Sequence, residues 1–254
     1  MAFTPSNTIN PINSGPKFLW FLTLSYTMLL TFVNLFDPRI VNIFGWVTDA
    51  GTIIFPLTFL LSDLITEVYG YKHARQAIWI GFIFSALFII YGQIVIHLPD
   101  PPYSTHNDLF TTLFTLDRRI ILSSAFSYLC SEPLNSYILS KIKIKMRGKF
   151  MPLRFVASTA ISSGADSFIF GILAFAGTMN NYNLLWLILT MWYIKVVMEI
   201  CGLPLTIKLA KKLKKIEQID IYDIDTKFNI FSLDARYVTK QNKYLSKCCC
   251  EENI

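Results

Sequence analysis

The feature that most constrains this chain is a series of six apolar runs, each about as long as a hydrocarbon core is thick. A helix needs ~20 mostly apolar residues to cross such a core. The runs fall at 18–36, 51–69, 75–97, 119–140, 155–178 and 184–207. Backbone at membrane depth must satisfy its own hydrogen bonds, so runs of this length read as helices. Composition agrees: 53% of residues are hydrophobic, 16% are charged and the mean hydropathy is +0.45, well beyond the usual balance of a soluble domain. Residues 1–17 are polar and lack a signal-peptide pattern, so the first run is expected to remain as a span. The expected fold is all-α: an integral membrane bundle of six transmembrane helices over 18–212. A polar N-terminus (1–17) and a polar tail (213–254) flank it.

Charge sets the expected orientation. Lys72 and Arg75 lie between the second and third runs. Lys141, Lys143, Lys145, Arg147, Lys149 and Arg154 lie between the fourth and fifth. Lys208, Lys211, Lys212, Lys214 and Lys215 follow the sixth. The opposite side has only Arg39, Arg118 and Arg119. The positive-inside rule then puts both termini in the cytosol. The net charge of +6 is read this way and not as a nucleic-acid surface, because the basic residues flank apolar spans. Pro133, inside the fourth run, implies a kink or local unwinding.

Several chemistries are not expected. The five cysteines are odd in number and form no CxxC pair, and Cys248, Cys249 and Cys250 read as an incidental tail. His73, His97 and His106 lack metal-ligand spacing, so neither a metal nor a cofactor is expected. No HExxH, GxSxG or phosphate-binding loop occurs, and no histidine lies deep in a run, so no catalytic residue is assigned.

The runs do carry ionisable groups, which are costly in a bilayer and are functional hypotheses by default. Asp63, Glu132, Asp166, Lys195 and Glu199 fall in one slab from the midplane towards the cytosolic leaflet. Asn135, Ser158 and Thr159 share it, as do Ser162 and Ser163. Lys195 can pair with Asp166 or Glu199, which would make a buried ion pair that merely fixes packing. One lysine does not balance these four carboxylates and Glu67, five in all, so a binding or translocation site is the better reading. The surplus needs protons, a cation, water or a ligand rich in donors. Glu67 lies nearer the cytosolic interface, where water, Lys72 and Arg75 can shelter its charge, and it reads as a gate or loop anchor. Ser163, Ser167 and Gly171 recur every fourth residue, as do Ala160 and Gly164, a spacing that lets helices approach closely. Tyr69, Gly70 and Tyr71 read as a helix C-cap with aromatics at the membrane belt. Most tryptophans lie near run ends as interfacial anchors.

Four stretches carry a resemblance: FPLTFLLSDLITEVYGYKHAR at 55–75, SEPLNSYILSKIK at 131–143, STAISSGADSFIFGILAFAG at 158–177 with Arg154 before it, and YIKVVMEICGLPL at 193–205. Together they resemble the queuosine precursor transporters, the YhhQ-type branch of the vitamin uptake transporters, over residues 18–212. The resemblance implies a six-helix importer of 7-deazapurines such as preQ0, preQ1 or queuine, used for tRNA modification. Its pattern positions fall on Asp63, Gly70, Arg75, Arg154, Ser158, Thr159, Asp166 and Lys195. Some members carry Gln-x-x-Asp where this chain has Glu132 and Asn135, so amide and carboxylate have traded places. The expected substrate-binding set is Asp63, Glu132, Asn135, Ser158, Thr159, Asp166 and Lys195. Glu67, Arg75, Arg154 and Glu199 are expected at a gate or the cytosolic interface. One carboxylate, Asp166 or Glu132, can accept the paired ring N–H and amine of a 7-deazaguanine, and Phe168, Phe170, Phe175 or Trp192 can cover its ring. The partners expected are a small nucleobase and the lipid bilayer. A second copy of the chain, or an ATPase module that energises a substrate-binding subunit, stays open as an alternative.

Overall fold

The computed structural model of the protein describes residues 16–36, 39–43, 46–99, 101, 107–114, 118–232 and 234–245. His106 and Cys248–Cys250 lie outside them. The chain forms helix α1 (Leu19–Phe36), a hairpin of β1 (Ile40–Ile43) and β2 (Trp46–Asp49), and a short α2 (Gly51–Ile54). There follow α3 (Pro56–Tyr69), α4 (Tyr71–Val95), α5 (Asn107–Phe114), α6 (Arg118–Lys145), α7 (Met151–Phe175) and α8 (Asn181–Glu217). The fold is an all-α membrane bundle with one small antiparallel hairpin. Among the described residues five helical segments are long and apolar enough to cross a membrane: α1, α2–α3 together, α4, α7 and α8. The sixth expected span, α6, is 28 residues long; its basic residues sit at the two ends, and serines, Glu132, Pro133 and Asn135 make its middle less apolar than the other five. Its polar side chains Ser131, Glu132, Asn135, Ser136 and Ser140 are all buried, so its polarity faces the bundle.

The α2–α3 segment is the centre of the bundle. Its apolar window is 78% buried, against 22–39% for the other four. It packs on α1, α4, α6 and α8, while α7 lies between α6 and α8. The outward faces of the outer helices remain apolar: Trp20, Leu87, Tyr91, Leu122 and Trp186 are exposed, as a lipid-facing surface requires.

Helix ends differ from the sequence reading for local reasons. Pro56 opens α3 at its first turn, where a missing N–H costs nothing. Gly70, at φ +84°, ends α3 and turns directly into α4. Pro133 sits within an uninterrupted α6, so the expected unwinding does not occur. The α8 helix runs ten residues beyond its apolar stretch because the lysine-rich 208–217 segment keeps good helix formers. The described part of the tail, residues 218–232 and 234–245, folds back on one end of the bundle. There Ile219 and Ile221 join the cluster of Leu64, Ile65, Val68 and Ala74. Tyr69 and Tyr71 are buried beneath this segment and are not belt aromatics.

Two small-residue contacts fix α7 against α8. A side chain at Gly171 would collide with Ile188, and one at Gly164 would meet the Trp192 indole at 3.3 Å. The stripe therefore acts as a packing seam.

Candidate functional site

The buried polar groups sort into two layers. The first lies at the end of the bundle where α3, α6 and α8 meet the folded-back segment. Glu67, fully buried, accepts a two-pronged pair of bonds from Arg154, Nη1 to Oε2 and Nη2 to Oε1, each 2.9 Å. Lys214 Nζ donates to its Oε1 at 2.6 Å. Lys143 donates to the Glu67 carbonyl at 2.5 Å. Asp220 forms ion pairs with Lys143 at 2.8 Å and with Lys214 at 2.7 Å. Three cations and two carboxylates thus share one buried knot, in the paired geometry that makes such bonds strong. Beside it, Asp223 accepts from the Tyr71 backbone N–H at 3.0 Å, from Ser140 at 2.8 Å and from the Tyr237 phenol at 2.6 Å. Burial and the Asp223 carboxylate push the Tyr237 phenol far above its usual range, so it remains a donor.

Arg75 does not shelter Glu67. Its guanidinium donates to the Asn229 and Asp234 carbonyls, each 2.6 Å away. Lys72 pairs with Asp234 at 3.2 Å. Glu67 is dry and held by Arg154 and Lys214, which replaces the expected shelter of water, Lys72 and Arg75.

The second layer lies deeper. Asp166 on α7 accepts from Lys195 Nζ on α8 at 2.6 Å and from Ser131 on α6 at 3.0 Å. Of the two partners open to Lys195 in the sequence, the structure selects Asp166. The ammonium also sits 4.4 Å from the centre of the Phe55 ring, a cation–π distance. Asp63 accepts from Asn135 at 2.6 Å, and Asn135 accepts from Ser162 at 3.1 Å, which links α3, α6 and α7. Glu132 accepts a longer bond of 3.4 Å from Thr58. Ser158 returns its hydroxyl to its own helix, at Arg154 and Phe155. Thr159 and Glu199 are buried without a hydrogen-bond partner.

A cavity of about 270 Å³ reaches this layer from the end opposite the Glu67 knot. Asp166 and Lys195 form part of its wall, and Phe55, Phe82, Tyr128 and Phe170 supply aromatic surface. Its size is near the lower end of small-molecule pockets, ~300–1,000 Å³. Of the expected binding residues, only Asp166 and Lys195 line it; Asp63, Glu132, Asn135, Ser158 and Thr159 lie outside its wall. Trp192 and Phe168 do not line it either: Trp192 donates to the Ala160 carbonyl at 2.9 Å, and Phe168 is exposed. Phe55, Phe82 and Tyr128 were not singled out from sequence, because aromatic residues in apolar helices carry no periodic signal that separates a cavity wall from a core. Lys143 and Lys214 were read only as orientation charges, although each is buried against a carboxylate. Among the described residues no cluster of His, Cys, Asp or Glu could hold a metal ion.

A family model described as "Putative vitamin uptake transporter" matches residues 49–209, from β2 through most of α8. The chain belongs to this family. Among curated proteins it is 28% identical over 174 residues to a "Probable queuosine precursor transporter" of Bacillus subtilis, covering 67% of this chain and 75% of that one. It is 25% identical over 172 residues to a "Queuosine precursor transporter" of Escherichia coli, covering 63% and 69%. No solved structure matches. As a member of the vitamin uptake transporters the chain is a transporter and not an enzyme, and it is a multi-pass protein of a bacterial inner membrane.

Proposed function

We propose that the protein imports queuosine precursors, 7-deazapurines such as preQ0, preQ1 or queuine, for salvage into tRNA. The names of its relatives support the substrate class. The observation that carries the reading is the Asp166 carboxylate, fixed by Lys195 and Ser131 on the wall of an aromatic-lined cavity. A carboxylate has about four lone-pair sites, so two bonds from the protein leave capacity for the adjacent ring N–H and amine of a 7-deazaguanine. Phe55, Phe82, Tyr128 and Phe170 supply apolar surface for the flat ring. Glu132, Asn135 and Thr159, beneath the cavity, are proposed to complete the contact when the bundle opens further.

In the proposed topology α6 is the sixth span and both termini are cytosolic, which the loop charges favour. The cavity then faces outward and the Glu67–Arg154–Lys214 knot seals the cytosolic end. Inward release would require that knot to separate, which makes Glu67 and Arg154 the inner gate and leaves Arg75 as an anchor of the folded-back segment. Nothing in the fold or the comparisons favours a separate ATPase module. The test is binding: purified protein should be stabilised in thermal denaturation by preQ0, preQ1 or queuine, and Asp166→Asn should abolish the shift. No shift with any of the three would overturn the substrate assignment.

A further inference from the structure

Beneath the cavity the charges do not balance. Asp63, Glu132, Asp166 and Glu199 are buried, and Lys195, the cation among them, is committed to Asp166. The other cations of the surrounding helices are engaged elsewhere. Arg154 and Lys214 hold Glu67, Lys143 holds Asp220 and the Glu67 carbonyl, and Arg75 holds two carbonyls of the folded-back segment. The charged groups that act on Asp63 are therefore all acidic, Glu199 on α8, Glu132 on α6 and Glu67 one turn along α3, and the neutral amide of Asn135 is its hydrogen-bond donor. The α1 helix contributes only the phenol of Tyr26, which lies against Glu132.

An independent observation concerns the oxygens themselves. Asp63 Oδ2 and both carboxylate oxygens of Glu199 are buried and accept no hydrogen bond. Ionised carboxylates left this way would each cost several kcal/mol. A substrate in the cavity would not relieve them, because neither Asp63 nor Glu199 lines its wall. A metal ion would not either, because no acidic group among the described residues has the convergence to ligate one.

We propose that Asp63 and Glu199 form a proton-binding pair that couples transport to the proton gradient, separate from the Asp166–Lys195 substrate end. The packed helices α3 and α8 carry the two groups, and a proton on either carboxylate removes its charge and with it the repulsion between them. Asn135 joins this pair to the substrate layer: it donates to Asp63 and accepts from Ser162 on α7, the helix that carries Asp166. The proton enters with substrate and leaves to the cytosol when the Glu67 knot opens. The coupling rests on the import reading, whereas the protonated pair does not.

Two measurements test it. Infrared difference spectra of the full chain in lipid vesicles at neutral pH read protonated carboxyl groups without any substrate. A protonated band that disappears in both Asp63→Asn and Glu199→Gln, and persists in Asp166→Asn, is expected. Absence of such a band, or its persistence in both variants, overturns the proposal. In vesicles with a trapped pH dye, entry of preQ0, a neutral probe, should acidify the lumen, and an inward proton gradient should raise accumulation at least tenfold. Net entry of preQ0 with no acidification, or accumulation driven by sodium alone, overturns the coupling. If preQ0, preQ1 and queuine all fail to exchange, the import reading fails, and the infrared result alone decides whether the proton pair stands.

Discussion

Glu67 and Asp63 sit one turn apart on α3, yet the fold treats them as opposites. Glu67 is wrapped by Arg154 and Lys214, residues 87 and 147 positions away in sequence. Asp63 receives one amide bond and no cation. Removing one member of a buried ion network costs ~3–5 kcal/mol because the others are left uncompensated. Glu67→Leu should therefore lower stability by about that much, read as a fall in thermal midpoint in detergent. Adding Arg154→Leu should recover ~0.5–3 kcal/mol through the coupling of neighbouring sites. Additive losses would show that the knot is not a unit. The separation of Asp63 and Glu67 by one turn along α3 was legible from the sequence, since rise per residue gives it directly. Their partners were not: Lys72 and Arg75 are nearest in sequence, but the chain turns at Gly70 and carries both under residues 218–245. Glu199 remained ambiguous because a lysine with two acidic neighbours cannot be assigned without the helix rotation that the α7–α8 seam imposes.

At the scale of elements, the seam between α7 and α8 sets the substrate end. Gly171 lies against Ile188, and the same two helices supply the Asp166–Lys195 bond. Gly171→Leu should overpack the seam at a cost of ~1–3 kcal/mol and weaken precursor binding by widening the α7–α8 gap. Ile188→Ala in the same chain should restore much of both, measured by thermal denaturation and ligand-induced shift. No rescue would mean that the glycine matters for some other reason. The small-residue spacing made close approach readable in advance, whereas the neighbour did not follow from it. The α6 helix shows the converse. Its polar residues made it the least apolar of the six runs, and the structure gives the reason: Ser131, Glu132, Asn135 and Ser140 all face inward. A hydropathy average does not separate polarity towards a bundle interior from polarity towards water.

At the scale of the whole molecule, the folded-back segment closes one end of the bundle and the cavity occupies the other. Its docking uses Lys72–Asp234, the Asp223 carboxylate on Tyr71 N–H and Ser140, and Ile221 packed over Gly70. Hydrogen bonds from the Arg236 backbone and side chain, then from Lys72, lower the exposed Asp234 carboxyl to about 2. A lowered folded value contributes stability above the unfolded value near ~3.9 and loses it as pH falls through the folded one. Amide protection in 218–232 and 234–245, corrected for the pH dependence of intrinsic exchange, should therefore hold from neutral pH down to ~4 and fall as the pH drops towards about 2. Sequence composition marked this segment as a polar tail, because its anchoring groups are single tyrosines, aspartates and isoleucines without helical periodicity. The six apolar runs, by contrast, placed nearly every long helix to within a few residues at the apolar part of its length.

The central claim is that Asp166, at the cavity wall, takes up a 7-deazapurine for import. Its most direct test is queuosine in the tRNA of bacterial cells that lack queuosine synthesis and their own precursor transporter, supplied with limiting preQ0, preQ1 or queuine. The chain should restore queuosine with at least one of them, and Asp166→Asn should reduce restoration at least tenfold at equal protein level. Full restoration by Asp166→Asn, or none by the unaltered chain with any precursor, would contradict the account.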